Sequence, residues 1–518
     1  MFFRRSNIAL FLAGLLLLSA SCSRRSASLA TAGSEFTRKY PPEQLLKDYD
    51  AFREVMEKFH PSLYWYTSRD SMDMIFSVYR AAIRDSMTQQ QFGFSVIAPV
   101  TTAIRCGHTS FSFSKKYNRE MRGVRLPSFP LYLKVFGDSM IVSGNLNKKD
   151  SLLKRGTYIT GIDGYRTSDL TRIMFRFMPT DGYAMNMNYN RLSVAFPYYH
   201  RNIFGLRRNY SVEYIDSLGN PAITTVPVFE PMADSARKKA DSLRMSQAAH
   251  KKPDRKERLE EIRSLRFIPP DDPIPEHRSI PGETAVMTLN GFDGKAGLTG
   301  FFKRSFRLME QKNVRNLIID IRANGGGKVN LYTELARYLR STKFRVADTA
   351  FALRKGFAGY GDMFSMRTLN ALSMGIFTRK KADGKYHFTY WENHYFKPKK
   401  KYFFKGHVYV LISGPSFSAA TLFAHTVKGQ SNVTLVGEEA GGGHYGNNGL
   451  IIPNITLPHT GIRVRMPLFR LVQYQHPAKD GKGVLPDVYV KPTREALMKG
   501  VDLSLKKARE LAATQARY

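Results

Sequence analysis

Apolar residues return at every third or fourth position through LLKDYDAFREVMEKF and SMDMIFSVYRAAI, between Leu45 and Ile83. That spacing lays one buried stripe along an α-helix. Residues 43–118 are therefore expected to form a small helical domain. Its first long helix should stop at His60-Pro61 and be packed by Tyr64, Trp65 and Tyr66. Between 119 and 230 the rhythm shortens toward alternation, in LYLKVFGDSMIVS, GTYITGIDG and YSVEYIDSLGNPAITTVPVF, which predicts a small β domain. From about Thr284 onward, short and wholly apolar runs (AVMTLNGF, NLIID, HVYVLIS, NVTLVG) alternate with helical stretches such as LTGFFKRSFRLMEQ and SFSAATLFAHTVKG. Strands buried on both faces and joined through helices belong to a largely parallel sheet, with functional residues at the strand ends. The fold class expected is multidomain α/β.

The regions outside these patterns are polar or basic. Residues 23–42 read as a tether, and 231–270 as a basic helical linker or insertion with nine Lys or Arg between Arg237 and Arg258. Such a run is a solvated face and needs no partner. Residues 271–498 form the α/β core, and 499–518 a C-terminal helix. Over the whole chain, 79 Lys plus Arg stand against 43 Asp plus Glu, a formal charge of +36. No base-reading module accompanies that charge, so specific nucleic-acid binding is not expected. Attraction to an anionic membrane or cell-wall surface is the simpler consequence.

At the amino end, Arg4 and Arg5 precede an apolar run that stops at small residues near Ser19–Ser21, followed by Cys22. This is the pattern of an export signal. It resembles a bacterial lipoprotein signal, which implies lipidation of Cys22 and a periplasm-facing place in the bacterial cell envelope, at the outer membrane. Ser19 departs from the aliphatic residue usual in that pattern, and cleavage near Ser21 without lipid is the plainer alternative. Cys106 is the other cysteine, so lipidation of Cys22 would leave no intramolecular disulfide.

Three loops of the core carry candidate chemistry. Ser418 follows the strand HVYVLIS and a Gly414-Pro415 turn and precedes the helical run AATLFAHTV. A serine there can be presented on a bend where the N–H groups of a helix start face an oxyanion, although Ser418 or Ser416 could equally cap the helix. A hydroxyl is a weak nucleophile until a base takes its proton, so this placement calls for a partner. Asp320-Ile321-Arg322-Ala323-Asn324 leads into three glycines, Gly325–Gly327, which suit an oxyanion hole or a structural turn. A phosphate loop is disfavoured, because Lys328 is followed by valine. A second glycine cluster, VGEEAGGGHYG, follows the strand NVTLV.

ISGPSFSAATLFA, IIDIRANGGG, VGEEAGGG and KGVLPD together resemble the core of the C-terminal-processing or tail-specific serine peptidases, peptidase family S41. CGHT at 106–109, EKFHPSLYW and LLKRGTYITGIDGYRTSDL, the last similar to part of a PDZ domain, extend that resemblance over most of the chain. It implies a ClpP/crotonase-like α/β catalytic core with an N-terminal helical domain and a PDZ-like β domain. The lysine base of one branch is missing, since Gly443 stands in its place and Lys428 lies ten residues beyond Ser418. The chain therefore resembles the tricorn-core-like branch, in which His108 would be the general base for the nucleophile Ser418. By the same resemblance Asp480 would orient His108, with Glu438, Glu439 and Asp487 in reserve. Ala419 with Gly325 or Gly326 would form the oxyanion hole.

The same residues admit other roles. His108 can be a core histidine, Cys106 a buried thiol or a nucleophile beside it, and His444 a rival base. No metal or cofactor is implied. The activity implied is hydrolysis of peptide bonds in exported polypeptides through an acyl-enzyme, the substrates being unfolded or C-terminal segments. A catalytically inactive S41-like lipoprotein that binds peptide or ligand, or an envelope structural protein, are the competing functions.

Overall fold

The computed structural model describes residues 34–231, 254–268 and 284–515. The signal segment, Cys22, most of the tether and residues 232–253 lie outside the described residues.

The predicted helical pattern near the amino end folds into α1 (Pro42–Phe59) and α2 (Arg69–Ala81), followed by a run whose turns are Gln89–Phe92, a π-turn at Gly93–Ile97, and Ala98–Ala103. Helix α1 ends at His60 because Pro61 disfavours helical backbone at the residue before it. These helices do not close a core of their own. Leu45, Tyr49, Phe52 and Met56 of α1 belong to one apolar cluster with Phe357, Phe364, Ile455 and Phe469 of the C-terminal half. The N-terminal region is thereby docked on the core through apolar contact over long sequence separation.

Five strands, β1 (Leu131–Phe136), β2 (Ser139–Asn145), β3 (Tyr158–Ile162), β4 (Asn209–Ile215) and β5 (Pro221–Pro227), make an antiparallel sheet in that order, with Tyr165–Arg166 pairing on β3. Helices α3 (Thr167–Phe175) and α4 (Asn186–Phe204) interrupt the strand sequence between β3 and β4. The alternating inward residues Leu131, Leu133 and Val135 pack with Leu192 and Phe196 of α4, so this region has its own core.

The large sheet runs β6 (Arg263–Ile268), β7 (Thr284–Leu289), β8 (Asn316–Asp320), β10 (His407–Ile412), β11 (Val433–Gly437) and β13 (Val488–Tyr489). All neighbours are parallel except β6, which is antiparallel to β7. Helices α5 (Leu298–Gln311), α6 (Val329–Ala336) and α8 (Ala419–Val427) pack on one face, and α9 (Leu503–Gln515) covers the other through Ala508 and Ala512. Between α6 and α8 the chain also forms β9 (Ala347–Ala352) and α7 (Arg367–Phe377); β12 (Arg470–Gln473), which follows α8 and β11, pairs with β9.

The wholly apolar runs occupy this sheet because both of its faces are covered, and Leu317, Ile318 and Ile319 are fully buried. One difference from the sequence reading lies at residues 254–268. The segment read as a basic helical linker or insertion is helical at Arg255–Ile262, capped reciprocally by Asp254 and Glu257, but then enters the core sheet as β6. The physical reason is that SLRFI supplies a strand whose register on β7 is complete from Arg263 to Ile268. Among the described residues, no helix is long and apolar enough to cross a membrane.

Candidate active site

Strand β10 delivers the chain to Ser413, and a tight turn then places Ser418 directly ahead of α8. The turn is pinned from inside by Ser416, whose buried hydroxyl donates to the Ile321 carbonyl at 2.8 Å and accepts the Ser413 N–H at 3.1 Å. Phe417 N–H donates to the Asn324 carbonyl at 3.0 Å, tying this turn to the first glycine loop. Ser418 itself caps nothing with its side chain and sits at φ 55°, ψ −121°. A non-glycine residue in that region is strained, a feature concentrated at functional sites and at strand-to-helix nucleophile turns.

His108 reaches this serine from the N-terminal region. Its Nε2 lies 3.0 Å from Ser418 Oγ across 310 residues of sequence, and its ring packs on Phe417 with centroids 4.6 Å apart. The approach depends on Gly107, where a Cβ would come within 2.9 Å of the Phe417 ring. On the far side, His60 at the end of α1 bonds Thr109 Oγ1 through Nε2 at 2.8 Å and accepts the Ser62 N–H at Nδ1. Nε2 of His60 is then the donor and the ring is neutral. Burial holds it so, pushing its pKa down to about 3.

The carboxylate nearest His108 is Asp181, in the segment between α3 and α4. Its Oδ1 lies 3.8 Å from His108 Nδ1 and accepts the Gly107 N–H at 2.7 Å, while Oδ2 faces the Gly443 N–H at 3.4 Å. Nδ1 of His108 is buried with no hydrogen-bond partner. Asp480, expected in this place, does not reach the histidine. Its side chain is half exposed, accepts the Lys482 N–H at 2.9 Å and lies 3.9 Å from the Lys482 amine. The reason is local: Asp480 closes its own turn, and the neighbouring Gly481 packs instead against Gly182 and takes the Tyr183 N–H at 2.7 Å. The reserve acids are also spent elsewhere, Glu439 on the Gly483 N–H at 2.6 Å and Asp487 on Lys428 and the Leu435 N–H. Burial raises both Glu438 and Glu439 above the usual carboxylate range.

The oxyanion candidates separate. Gly326 N–H donates to Asn324 Oδ1 at 2.9 Å and is already used, which removes it as an oxyanion donor. Its contribution is space, because a Cβ there would lie 2.7 Å from Ser418 Cβ and 3.0 Å from Ala419 N. Gly325 borders open space, and Ala419 is the first residue of α8, whose N–H has no intrahelical acceptor. His444, the rival base, turns away from Ser418. Nε2 of His425 donates to the Tyr474 carbonyl at 2.8 Å, so His425 Nδ1 accepts the His444 Nε2–H at 3.0 Å. Burial lowers the His444 pKa to about 4.

Two further features adjoin the pair: a glycine that was not foreseen in the sequence, and the cysteine whose reading as a buried thiol holds. Gly449 covers the Ser418–His108 pair, and its N–H donates to Asn447 Oδ1 at 3.0 Å. Cys106 is buried and free, its sulfur accepting from Asn448 Nδ2 at 3.1 Å, and burial pushes its thiol up to about 12. It is no nucleophile in this state. The aromatic cluster near residue 65 buttresses the site loops rather than lining them, with Trp65 against Tyr445 at 5.7 Å and Tyr66 against Tyr183 at 6.1 Å.

Comparison with known proteins bears on this geometry. The family model described as peptidase family S41 matches residues 283–490. No curated protein matches the chain significantly in sequence. Among solved structures, mature CPAF complexed with lactacystin is similar over 92% of this chain and 98% of its own, with a TM-score of 0.57 at 13% identity. A second structure of mature CPAF gives 91%, 97%, 0.57 and 14%. The photosystem II D1 C-terminal processing protease aligns over 91% of this chain and 97% of its own at 14% identity, with a TM-score of 0.40. At such identities the CPAF likeness establishes a shared fold. Residues 283–490 are thus similar in sequence to peptidase family S41, and the chain shares the fold of CPAF.

Proposed function

We propose that the protein is an exported serine endopeptidase that cleaves polypeptides through an acyl-enzyme, with Ser418 as nucleophile and His108 as general base. The observation that carries this reading is the 3.0 Å contact between His108 Nε2 and Ser418 Oγ at a strained strand-to-helix turn. Neutral His108 takes the hydroxyl proton at Nε2 as Ser418 attacks the scissile carbonyl, and returns it to the leaving amine. Water then repeats the sequence on the acyl ester. The N–H groups of Ala419 and Gly325 are the donors for the tetrahedral oxygen, each worth about 3 kcal/mol when aligned. Asp181 is a positioning residue: it holds Gly107 by a hydrogen bond and places a negative charge beside the imidazolium that forms. In keeping with the Ser-His arrangement, the chain falls in the tricorn-core-like branch.

Unfolded or C-terminal segments are the proposed substrates, the antiparallel β domain (PDZ-like) their holding module, and the bacterial outer membrane, facing the periplasm, the place of action. The basic composition and the Arg4–Cys22 segment support that placement.

The test is covalent labelling with a fluorophosphonate, read by mass spectrometry, on the wild-type chain and on Ser418→Ala and His108→Ala. Labelling at Ser418 that requires His108 is expected. Folded protein that takes up no probe, with or without unfolded polypeptide present, would overturn the enzymatic reading in favour of a peptide-binding protein.

A further inference from the structure

Cys106, His108 and Asp181 bring three different donor atoms to one buried spot. Cysteine sulfur, imidazole nitrogen and carboxylate oxygen all lie within 4.8 Å of one another, and Nδ1 of His108 stands 3.8 Å from Asp181 Oδ1. All three residues are buried, with relative exposures of 1%, 2% and 3%. Nδ1 of His108 has no hydrogen-bond partner, although a buried polar atom left alone costs roughly 1–3 kcal/mol. Sulfur, nitrogen and oxygen are the donors that four-coordinate zinc takes, at about 2.0–2.3 Å. A tetrahedral ion needs those donors roughly 3.3–3.6 Å apart, so Nδ1 and Oδ1 would have to close by about 0.5 Å and the widest pair, up to 4.8 Å apart, by about 1.2 Å. Asn448 Nδ2 already donates to the sulfur at 3.1 Å, the contact that stabilises a thiolate in a buried metal site.

We infer that these three residues form a site for zinc or a similar thiophilic divalent cation, and that occupancy switches the peptidase off. The inference rests on the reading of His108 as the base. To accept the Ser418 proton, neutral His108 must carry its own proton on Nδ1 and keep the Nε2 lone pair free. An ion on Nδ1 uses that lone pair and moves the single ring proton to Nε2. Nε2–H can then only donate to Ser418 Oγ, and the hydroxyl keeps its proton. The ion also binds the Asp181 oxygen that would face the imidazolium. The Cys106 thiol proton leaves to solvent as the sulfur–metal bond forms, and water fills the fourth position, which keeps the ion removable by a chelator.

The site is tested in the full chain with Co²⁺ as a spectroscopic probe and Zn²⁺ as the inhibitor. Ser418→Ala titrated with Co²⁺ should develop a thiolate-to-cobalt charge-transfer band saturating at one equivalent. Wild-type peptidase should lose activity in Zn²⁺ and regain it with a chelator. Cys106→Ala should lose the band and raise the half-inhibitory zinc concentration at least about tenfold, the smaller end of what disturbing a metal site costs. Cys106→Ser fills the same volume and serves in case the alanine variant melts early. Absence of the band from Ser418→Ala, or zinc inhibition undiminished in both Cys106 variants, overturns the site. A cobalt band in a wild-type chain that neither labels nor cleaves overturns the peptidase reading and leaves the metal site standing.

Discussion

The glycine above the Ser418–His108 pair offers a direct test of whether that contact is the working one. A Cβ built on Gly449 would lie 3.0 Å from Ser418 Oγ, 3.1 Å from Asn447 Oδ1 and 3.2 Å from His108 Nε2. Ordinary contact begins near 3.5 Å, so Gly449→Ala forces the atoms around the serine oxygen apart by roughly 0.3–0.5 Å. Added to the present 3.0 Å, that opens the Ser418–His108 bond to the edge of hydrogen-bond range. General-base assistance contributes about 10²–10⁴-fold, or about 3–5 kcal/mol at tenfold per 1.36 kcal/mol. The loss should fall on kcat with unfolded polypeptide and on the rate of fluorophosphonate labelling. Gly449 does not occupy the left-handed region, so the backbone accepts alanine and the stability cost is that of overpacking, about 1–3 kcal/mol. Gly356→Ala is the matched control. A Cβ there meets nothing within 4 Å and Gly356 lies outside the site described, so activity should stay near wild type. A Gly449→Ala variant with kcat within about threefold of wild type would refute the reasoning, because the Ser418–His108 contact would then not be the catalytic one.

Other outcomes follow from the same contacts. Asp181→Asn keeps an acceptor for the Gly107 N–H but removes the charge beside His108; at 3.8 Å and an effective dielectric near 20 that charge is worth at most about 4 kcal/mol, so kcat should fall by up to about 10³-fold with KM little changed. Folding stability should decline in acid through His60, whose pKa drops from 6.5 to about 3 on burial: the unfolded chain binds the extra proton below pH 6.5, so stability present above that pH is lost as pH falls toward 3, at ~1.4 kcal/mol per unit. Chemical denaturation at pH 7 and pH 5 should show His60→Gln losing less than wild type over that interval. Asp502 takes both terminal nitrogens of Arg322, at 2.6 and 2.7 Å, and Asp502→Asn should lower stability by about 1–2 kcal/mol in a thermal melt while leaving labelling of Ser418 intact.

How much of this could be read in the chain depends on which interactions carry each feature. The large sheet was legible because burial on both faces forces apolar runs, as in Leu317–Ile319, and the connecting helices keep a plain amphipathic rhythm. Ser418 and the first glycine loop were legible for a related reason, since strand ends in such a sheet are where chain reversals must present backbone groups. Asp181 was not legible. Its link to the site is a backbone N–H, that of Gly107, and nothing in the surrounding PTDG turn distinguishes it from any surface turn. Asp480 misled because the family resemblance placed an acid near the late Gly-Val-Leu-Pro-Asp stretch, whereas in this chain that carboxylate is consumed by the N–H of Lys482. The used N–H of Gly326 was hidden for the same kind of reason, being a matter of which acceptor a glycine turns toward. The shared core of the N-terminal helices was invisible too, since an amphipathic stripe shows that a face is buried but not against what.

The hydrogen bonds that assemble the site bridge three separate stretches of the chain. Gly182 N–H donates to the Arg105 carbonyl at 2.9 Å, Tyr183 N–H to the Gly481 carbonyl at 2.7 Å, and Gly107 N–H to Asp181. These few bonds join the N-terminal region, the α3–α4 segment within the β domain and the late loop of the core, each of which holds or supports one member of the site. No one region contains a base and a nucleophile together. Ser418 alone has the strained turn and the helix start but nothing to take its proton, and His108 alone has no hydroxyl. Activity is therefore a property of the docked arrangement, and a change anywhere along the seam that parts residues 105–108 from 181–183 should silence Ser418 without touching it. Gly182 is the sharpest point on that seam: it sits at φ 55° and a Cβ there would lie 2.6 Å from the Gly481 carbonyl oxygen. Gly182→Ala, strained in backbone and space alike, should open the seam and abolish labelling of Ser418 while the sheet that carries the serine stays folded by circular dichroism. Unchanged labelling would show instead that Ser418 is activated from within the core.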